Sequence, residues 1–235
     1  MPRRPRGATG QFTFHVINRA VEGLVLFEDS EDFRCFLSIL VAGMKLFPVR
    51  VLAYCLMPNH WHLVVWPCTD EALSGFMKWV TGTHAQALRR ARQSVGRGSV
   101  YQGRYKAIAV QDDRHLIRLC HYVERNALRA KLVARAEDWP WSSASPRAAD
   151  RERPVISDWP VPRPANWLER LNAPESPRAL KQVRAAVRTS RHFGSLAWRR
   201  RCAEALGWRE GHRGQGRTWQ PTPVGDATAA RRPGR

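Results

Sequence analysis

Residues 49–66 read VRVLAYCLMPNHWHLVVW. Two apolar runs rich in β-branched and aromatic residues, Val49–Met57 and His60–Trp66, are separated by Pro58 and Asn59, which are residue types that favour turns. Apolar runs of this length and composition are typical of strands. The segment therefore predicts an antiparallel hairpin with Pro58 and Asn59 at its turn.

The sequence on either side of this hairpin alternates between strand-like and helix-like patterns. Phe12 to Ile17 suits a half-buried strand, and Tyr101 to Val110 predicts a fourth strand. Apolar residues at helical spacing predict three helices. These begin after Ser30 as N-cap, at Leu73, and after Asp112 or Asp113. The order β-α-β-β-α-β-α predicts an α+β fold, a ferredoxin-like antiparallel sheet with helices on one face.

The composition changes along the chain and predicts five segments. Residues 12–145 form the folded domain, preceded by a basic N-terminal arm over residues 1–11. A linker rich in Pro, Arg and Asp follows over residues 146–164. A basic helical C-terminal region spans residues 165–208, and residues 209–235 have too few apolar residues to fold.

The charge balance identifies the class of partner. There are 39 Lys and Arg residues against 20 Asp and Glu residues, a formal net charge of +19. Such an excess indicates a polyanion, and nucleic acid is the usual one. Charge alone does not separate DNA from RNA.

Other classes of protein are excluded by what the sequence lacks. The five cysteines are widely spaced and include no pair with zinc-knuckle spacing, so we expect reduced thiols. No apolar run reaches the roughly 18 residues of a membrane helix, and no apolar segment follows the arginines at the N-terminus. We expect a cytoplasmic, nucleoid-associated protein without a membrane partner.

The hairpin carries a pair of histidines that share a face. His60 and His62 lie two residues apart on a predicted strand, so both imidazoles leave the same side and can meet one cation, whereas Trp61 points into the core. A histidine pair alone is weak evidence for a metal. Asn126 is a candidate third ligand because it shares one side of the third helix with Tyr122.

Tyr122 has two interpretations. At roughly 100° per residue it lies about a third of a turn from the centre of the apolar stripe, which suits a half-buried structural aromatic. Alternatively, its phenol beside a metal-bound phosphate attacks phosphorus and holds the covalent product while a 3′ hydroxyl leaves.

Three motifs resemble the REP-associated tyrosine transposases, a single-tyrosine branch of the His-hydrophobic-His endonucleases related to insertion-sequence-200-like transposases. The resemblance covers about residues 12–145, the predicted transposase domain. The motifs are MPNHWHLV at 57–64, YQGRYKA at 101–107 and YVERNALRA at 122–130, with further similarity in DWPWSS at 138–143 and in HFGSLAW at 192–198.

The resemblance implies a metal site and a nucleophile. His60 and His62, with Asn126 as a third ligand, would bind Mg²⁺ or Mn²⁺, and Tyr122 would form a transient 5′-phosphotyrosine. Imidazoles alone favour zinc or another transition metal, but phosphate oxygens and water would complete this shell. Ala127 departs from the family's usual proline, and Trp61 from its common tyrosine, without removing a reactive group.

The expected partner is single-stranded or hairpin DNA, bound by a monomer or homodimer. Tyr101 and Tyr105 compete with Tyr122 as nucleophiles but are better placed to stack on bases or brace the sheet. His15 and His121 are left out of the site, because lone histidines are more often structural. The basic residues expected to follow the phosphates are Arg104, Lys106, Arg118, Arg125 and Arg129.

Two functions follow from these observations. The first is a transposase or endonuclease that cleaves and rejoins REP-like hairpin DNA by transesterification through Tyr122. The alternative is a catalytically silent hairpin DNA- or RNA-binding regulator on the same fold. An RNA-recognition domain would share the element order, but its aromatic stacking motif is absent.

Overall fold

A computed structural model describes residues 9–96, 98–146, 154 and 156–207. Most of the predicted N-terminal arm, the predicted disordered tail, and linker residues 147–153 and 155 lie outside these ranges. The predicted element order is confirmed. The strands are β1 (Thr13–Arg19), β2 (Val49–Met57), β3 (His60–Pro67) and β4 (Lys106–Val110), and the helices are α1 (Ser30–Leu46), α2 (Ala72–Ala91), α3 (Arg114–Glu124), α4 (Asn126–Arg129), α5 (Trp167–Asn172), α6 (Pro177–Thr189) and α7 (Leu196–Ala205).

The four strands form one antiparallel sheet in the order β2-β3-β1-β4. The α+β fold and the hairpin of β2 and β3 are therefore as predicted. The fourth strand is shorter than predicted, because it begins at Lys106 rather than Tyr101. Tyr101 forms an isolated bridge to Ala20, and residues 102–104 form a bend before the strand begins.

Side-chain caps stabilise the starts of α1 and α3. Asp29, and not Ser30, caps α1, since its carboxylate accepts hydrogen bonds from the backbone N–H groups of Glu31 and Asp32 at 2.8 and 3.0 Å. Asp113 caps α3 in the same way. Both caps satisfy backbone donors that have no partner inside the helix.

One face of the sheet is covered by α1 and α2. Alternate residues of β3, Trp61 and Leu63, point to this side and are fully buried. They pack with Phe14 of β1, Phe36 of α1 and Phe76 of α2. The prediction that Trp61 points into the core is confirmed.

The third helix lies on the opposite face, which corrects the prediction that the helices share one side. Val64 and Ile108 of the sheet pack there with Leu116 and Leu119 of α3. The strands are buried on both sides, and their near-continuous apolar runs are the pattern expected of a doubly covered sheet. The face covered by α3 is called the α3 face below.

The C-terminal part of the chain closes both sheet edges. Along β2, Leu56 N–H donates to the Trp141 carbonyl at 2.9 Å. Along β4, Phe193 N–H donates to the Ala109 carbonyl at 2.8 Å, and Phe193 in turn accepts from Gln111. Buried residues of α5 and α6 join the α3 face. Within the described ranges, no helix combines the length and apolar character that a membrane span needs.

Candidate active site

The strand register gathers charged and ligating side chains at one end of the α3 face. In β1, Ile17 pairs with His62 and Arg19 with His60. On its other side Ile17 pairs with Lys106 of β4. Directly paired residues project to the same face of a sheet, so both histidines share this face with two cationic residues.

The ring of His60 is held by its neighbour at the hairpin turn. Its Nδ1 lies 2.7 Å from the Asn59 side-chain oxygen. That oxygen can only accept, so Nδ1 carries the hydrogen. In a neutral ring this leaves Nε2 of His60 with a free lone pair, the form in which imidazole binds metals.

His62 has a buried hydrogen-bond partner. Its Nδ1 lies 2.9 Å from Nε2 of His15, and the two ring centroids are 5.1 Å apart with 23° between the ring planes. Both side chains are about 1% exposed. The predicted ligand therefore contacts a histidine that the sequence analysis left out of the site.

Burial keeps these imidazoles neutral at physiological pH. It lowers the pKa of His15 to about 3 and that of His62 well below its ordinary value, where neighbouring His15, His60 and Arg129 lower it further. Burial also lowers the pKa of His60, with the charges of Arg19 and Arg129 acting in the same direction. Neutral rings can offer lone pairs to a cation without first losing a proton.

Tyr122 lies on α3 directly over these histidines. Its ring centroid is 5.9 Å from that of His62 and 6.2 Å from that of His15, both in edge-on arrangements. The residue is only 3% exposed. Burial raises the pKa of its phenol, while Arg129 and Arg184 lower it. The phenol therefore lies beside His62, whose ring centroid is 5.1 Å from that of His60.

Arg129 covers the tyrosine. Its guanidinium carbon lies 4.1 Å from the centre of the Tyr122 ring, and the group donates to the Tyr122 carbonyl at 3.0 Å. It also forms an ion pair with Glu175 at 3.2 Å. Arg129 is thus a neighbour of the nucleophile candidate, and Glu175 links it to the segment between α5 and α6.

Asn126 lies just beyond a break in the third helix. The helix ends at Glu124, and Arg125 separates it from the short α4 that Asn126 begins. Asn126 is buried, and its amide nitrogen has no hydrogen-bond partner among the described residues. No three His, Cys, Asp or Glu residues of the described ranges are placed to hold a metal.

The predicted phosphate-contacting residues fall into two groups. Arg104 is exposed and precedes β4, and Lys106 is half-buried at the start of that strand. Arg118 and Arg125 instead reach the C-terminal region, where Arg118 donates to Gln182 at 3.4 Å and Arg125 donates to the carbonyl of Leu171. Their guanidinium groups hold helices together in this structure.

The two tyrosines near β4 also differ. Tyr101 is buried on the face opposite to α3, where its hydroxyl accepts from Trp61 Nε1 at 3.2 Å and lies 2.6 Å from His84 Nδ1. It is out of reach of a nucleobase, so of the two predicted roles it has the bracing one. Tyr105 is half-buried and packs against the same core.

Sequence reasoning missed His15 and Arg19. His15, Ile17 and Arg19 alternate along β1, so all three face the same side of the sheet. This period of two could have placed His15 and Arg19 at the site only if the pairing of β1 with β3 had been known, because sequence spacing does not say which strand lies beside the hairpin.

Comparisons with known proteins agree with this arrangement. Residues 10–126, about half of the chain, match the sequence model of the family described as "Transposase IS200 like". No curated protein matches significantly. The chain is also similar in structure to a REP-associated tyrosine transposase solved bound to a REP hairpin, with a TM-score of 0.51 and 14% identity over 68% of this chain and 95% of that one. That likeness supports the fold, and the family match covers His60, His62, Tyr122 and Asn126: the chain belongs to the IS200-like transposase family.

Proposed function

We propose that the chain is a metal-dependent tyrosine transposase that cleaves and rejoins single-stranded, hairpin-forming DNA. Tyr122 is the nucleophile, and His60, His62 and Asn126 hold Mg²⁺ or Mn²⁺. The observation that carries this proposal is the convergence of a phenol and two neutral imidazoles in one site.

The residues present suit such a cation. Asn59 leaves Nε2 of His60 available as a ligand atom, and Asn126 would bind through its amide oxygen. When bound, the ion would draw negative charge from the scissile phosphate and orient it for in-line attack. Two protein imidazoles leave room for phosphate oxygens and water, which Mg²⁺ prefers.

The covalent step is a balanced transesterification. A bond forms between the Tyr122 phenolic oxygen and phosphorus as the bond from phosphorus to the 3′ oxygen breaks. The phenol loses its proton, and the departing oxygen gains one to become a 3′ hydroxyl. Attack by a 3′ hydroxyl on the phosphotyrosine reverses the exchange and rejoins DNA. Because burial raises the phenol's pKa, the resting nucleophile is protonated, with Arg129 and Arg184 opposing that shift.

The DNA partner is supported by charge and by the structural relative. The chain carries a net charge of +19, and Arg19 and Lys106 share a face with the histidine pair. The similar transposase was solved with a REP hairpin. We therefore propose a REP-like hairpin as the substrate class here, with Arg104 and Lys106 on the phosphate path.

A labelled single-stranded hairpin oligonucleotide incubated with Mg²⁺ or Mn²⁺ tests the proposal. The native chain should give a protein-linked DNA band that requires the metal and is absent from Tyr122→Phe. The matched control is Tyr54→Phe, which loses the same hydroxyl on the opposite face of the sheet and should keep the band. Tight hairpin binding without an adduct in any of the three proteins would instead support the catalytically silent regulator.

A further inference from the structure

We propose that His15 is a positioning residue that holds His62 in the tautomer able to bind the metal. This inference rests on the proposed function, since it concerns the same site. In it, Nε2 of His15 accepts a hydrogen bond from Nδ1–H of His62, which leaves Nε2 of His62 as the ligand atom.

The hydrogen bond itself limits the alternatives. A nitrogen-to-nitrogen contact of 2.9 Å between two imidazoles needs one N–H and one lone pair. If His15 donated, Nδ1 of His62 would be the acceptor and a neutral His62 would carry its hydrogen on Nε2. That tautomer has no lone pair left for a cation. Only the arrangement in which His62 donates gives it a ligand atom directed away from His15.

The neighbouring ligand shows the same arrangement by different chemistry. The Asn59 side-chain oxygen can only accept, so His60 donates from Nδ1 and keeps Nε2 free. With His15 as acceptor, both candidate ligands have the same tautomer. Metal-bound histidines commonly donate their second N–H to a fixed acceptor, which orients the ring.

The position of His15 is fixed by the fold. In the middle of the sheet, His15 pairs with Val64, which lies two residues after His62 on β3. Its ring is about 1% exposed, and apolar residues of β4, α3 and α6, among them Ile108, Leu119 and Val183, line its surroundings. An acceptor enclosed in this way is not exchanged for water.

Two substitutions distinguish the effect of the hydrogen-bond acceptor of His15 from that of its ring. His15→Phe keeps a flat ring but removes the acceptor, and we expect Mn²⁺ affinity to fall roughly 10- to 100-fold, the range found for such supporting residues. His15→Gln restores an acceptor, because its side-chain oxygen can take the place of Nε2. We expect its affinity to return to within a few-fold of that of the native chain.

Two measurements without DNA test this inference. The first is titration with Mn²⁺, following the electron paramagnetic resonance signal of the free ion, for the native chain and both variants, each first shown by thermal unfolding to be folded. The second is long-range ¹H–¹⁵N correlation of the His62 ring in the metal-free native chain. A hydrogen on Nδ1 of His62, a loss of affinity in His15→Phe and recovery in His15→Gln would support the proposal.

Other results would overturn it. These are unchanged affinity in His15→Phe, an equal loss in both variants, or a hydrogen on Nε2 of His62. The tautomer is read without metal, so it tests His15 even if the chain binds no Mn²⁺. Absence of Mn²⁺ binding in the native chain, or binding unaffected by His60→Ala, would contradict the proposed metal site instead.

Discussion

His84 is a buried histidine that resembles His15 in its electrostatics but not in its surroundings. It lies on α2, on the face opposite to the candidate site, and burial lowers its pKa to about 4. The Tyr101 hydroxyl is 2.6 Å from its Nδ1 and also accepts from Trp61. A lowered pKa therefore does not mark the active site here. What distinguishes His60 and His62 is that they share a face with each other and with Tyr122.

His84 makes the fold sensitive to acid. The unfolded chain protonates His84 near pH 6.5, whereas the folded chain does so only near pH 4. Between these values the unfolded state binds more protons, so the free energy of unfolding falls as the pH is lowered. His84→Asn keeps an acceptor near the position of Nδ1 but does not titrate. We expect its free energy of unfolding to fall less than that of the native chain across this window, with a difference of up to about 3 kcal/mol.

Urea unfolding at pH 7 and pH 4.5 measures this effect. The difference between the two pH values is the quantity to compare, because the smaller side chain also changes packing at both. Parallel losses of stability in the native chain and His84→Asn would show that other groups dominate the acid sensitivity.

Individual site residues could be predicted from the sequence only where they belong to a recognisable motif. His60, His62 and Tyr122 stand in recognisable motifs and do converge. His15 was set aside because its value depends on a partner 47 positions away in sequence. For Tyr101, the sequence leaves base stacking and bracing of the sheet as alternatives, because strand alternation does not reveal which face a ligand approaches.

At the scale of elements, periodicity predicted the strands and helices but not their placement. The apolar stripe of α3 shows that one side of the helix is buried, yet not which face of the sheet it covers. The strand runs are apolar on both sides, which fits a sheet covered on both faces, whereas the element order had predicted helices on one face. The break at Arg125 was also missed, since the sequence continues with good helix-forming residues on either side of it.

The third helix is joined to the C-terminal region by a buried carboxylate. Glu124, two residues after Tyr122, accepts hydrogen bonds from the Ser143 hydroxyl at 2.6 Å and from Trp167 Nε1 at 2.5 Å. Arg163 lies 3.8 Å away. Burial raises the pKa of Glu124, and the two hydrogen bonds oppose that rise. The helix that carries the nucleophile candidate is therefore held by segments far from it in sequence.

The strand-like pairing of Phe193 with β4 depends on a glycine. A Cβ on Gly194 would lie 2.5 Å from the Trp198 ring and 2.9 Å from the Gln111 side-chain oxygen, which accepts from Ser195 N–H. We expect Gly194→Ala to destabilise the fold by about 1 to 3 kcal/mol, the usual range for overpacking. Hydrogen exchange should show faster exchange at the Phe193 and Gln111 amides.

The control for this change is Gly82→Ala on α2. Apart from the helix's own backbone, no atom of the described residues lies within 4 Å of the Cβ position there, and alanine favours a helix interior over glycine by up to about 1 kcal/mol. The control should therefore leave stability unchanged or raise it. Equal destabilisation by both substitutions would mean that the packing around Gly194 is not the cause.

For the whole molecule, the covered sheet edges limit how copies can associate. Trp141 to Ser143 pair with β2, and Phe193 pairs with β4, so neither edge strand offers a free row of backbone groups along these stretches. Exposed edges are the usual route to sheet-to-sheet association. Charge acts in the same direction, because a formal net charge of +19 makes copies repel one another. Both features oppose sheet-to-sheet association of copies of the chain.

The same charge makes the strength of DNA binding depend on salt, and the position of each cation should decide how much. Lys106 shares the α3 face with His62, and burial lowers its pKa. If it contacts a phosphate, Lys106→Gln should reduce the slope of log affinity against log salt concentration by about 1. Lys45→Gln on α1 removes the same charge from the opposite side of the sheet and should leave the slope nearly unchanged.

Fluorescence anisotropy of a labelled hairpin across a salt series measures the slopes of both variants. Equal changes in slope in the two variants would mean that the chain attracts DNA through its overall positive charge, and that Lys106 does not contact a particular phosphate.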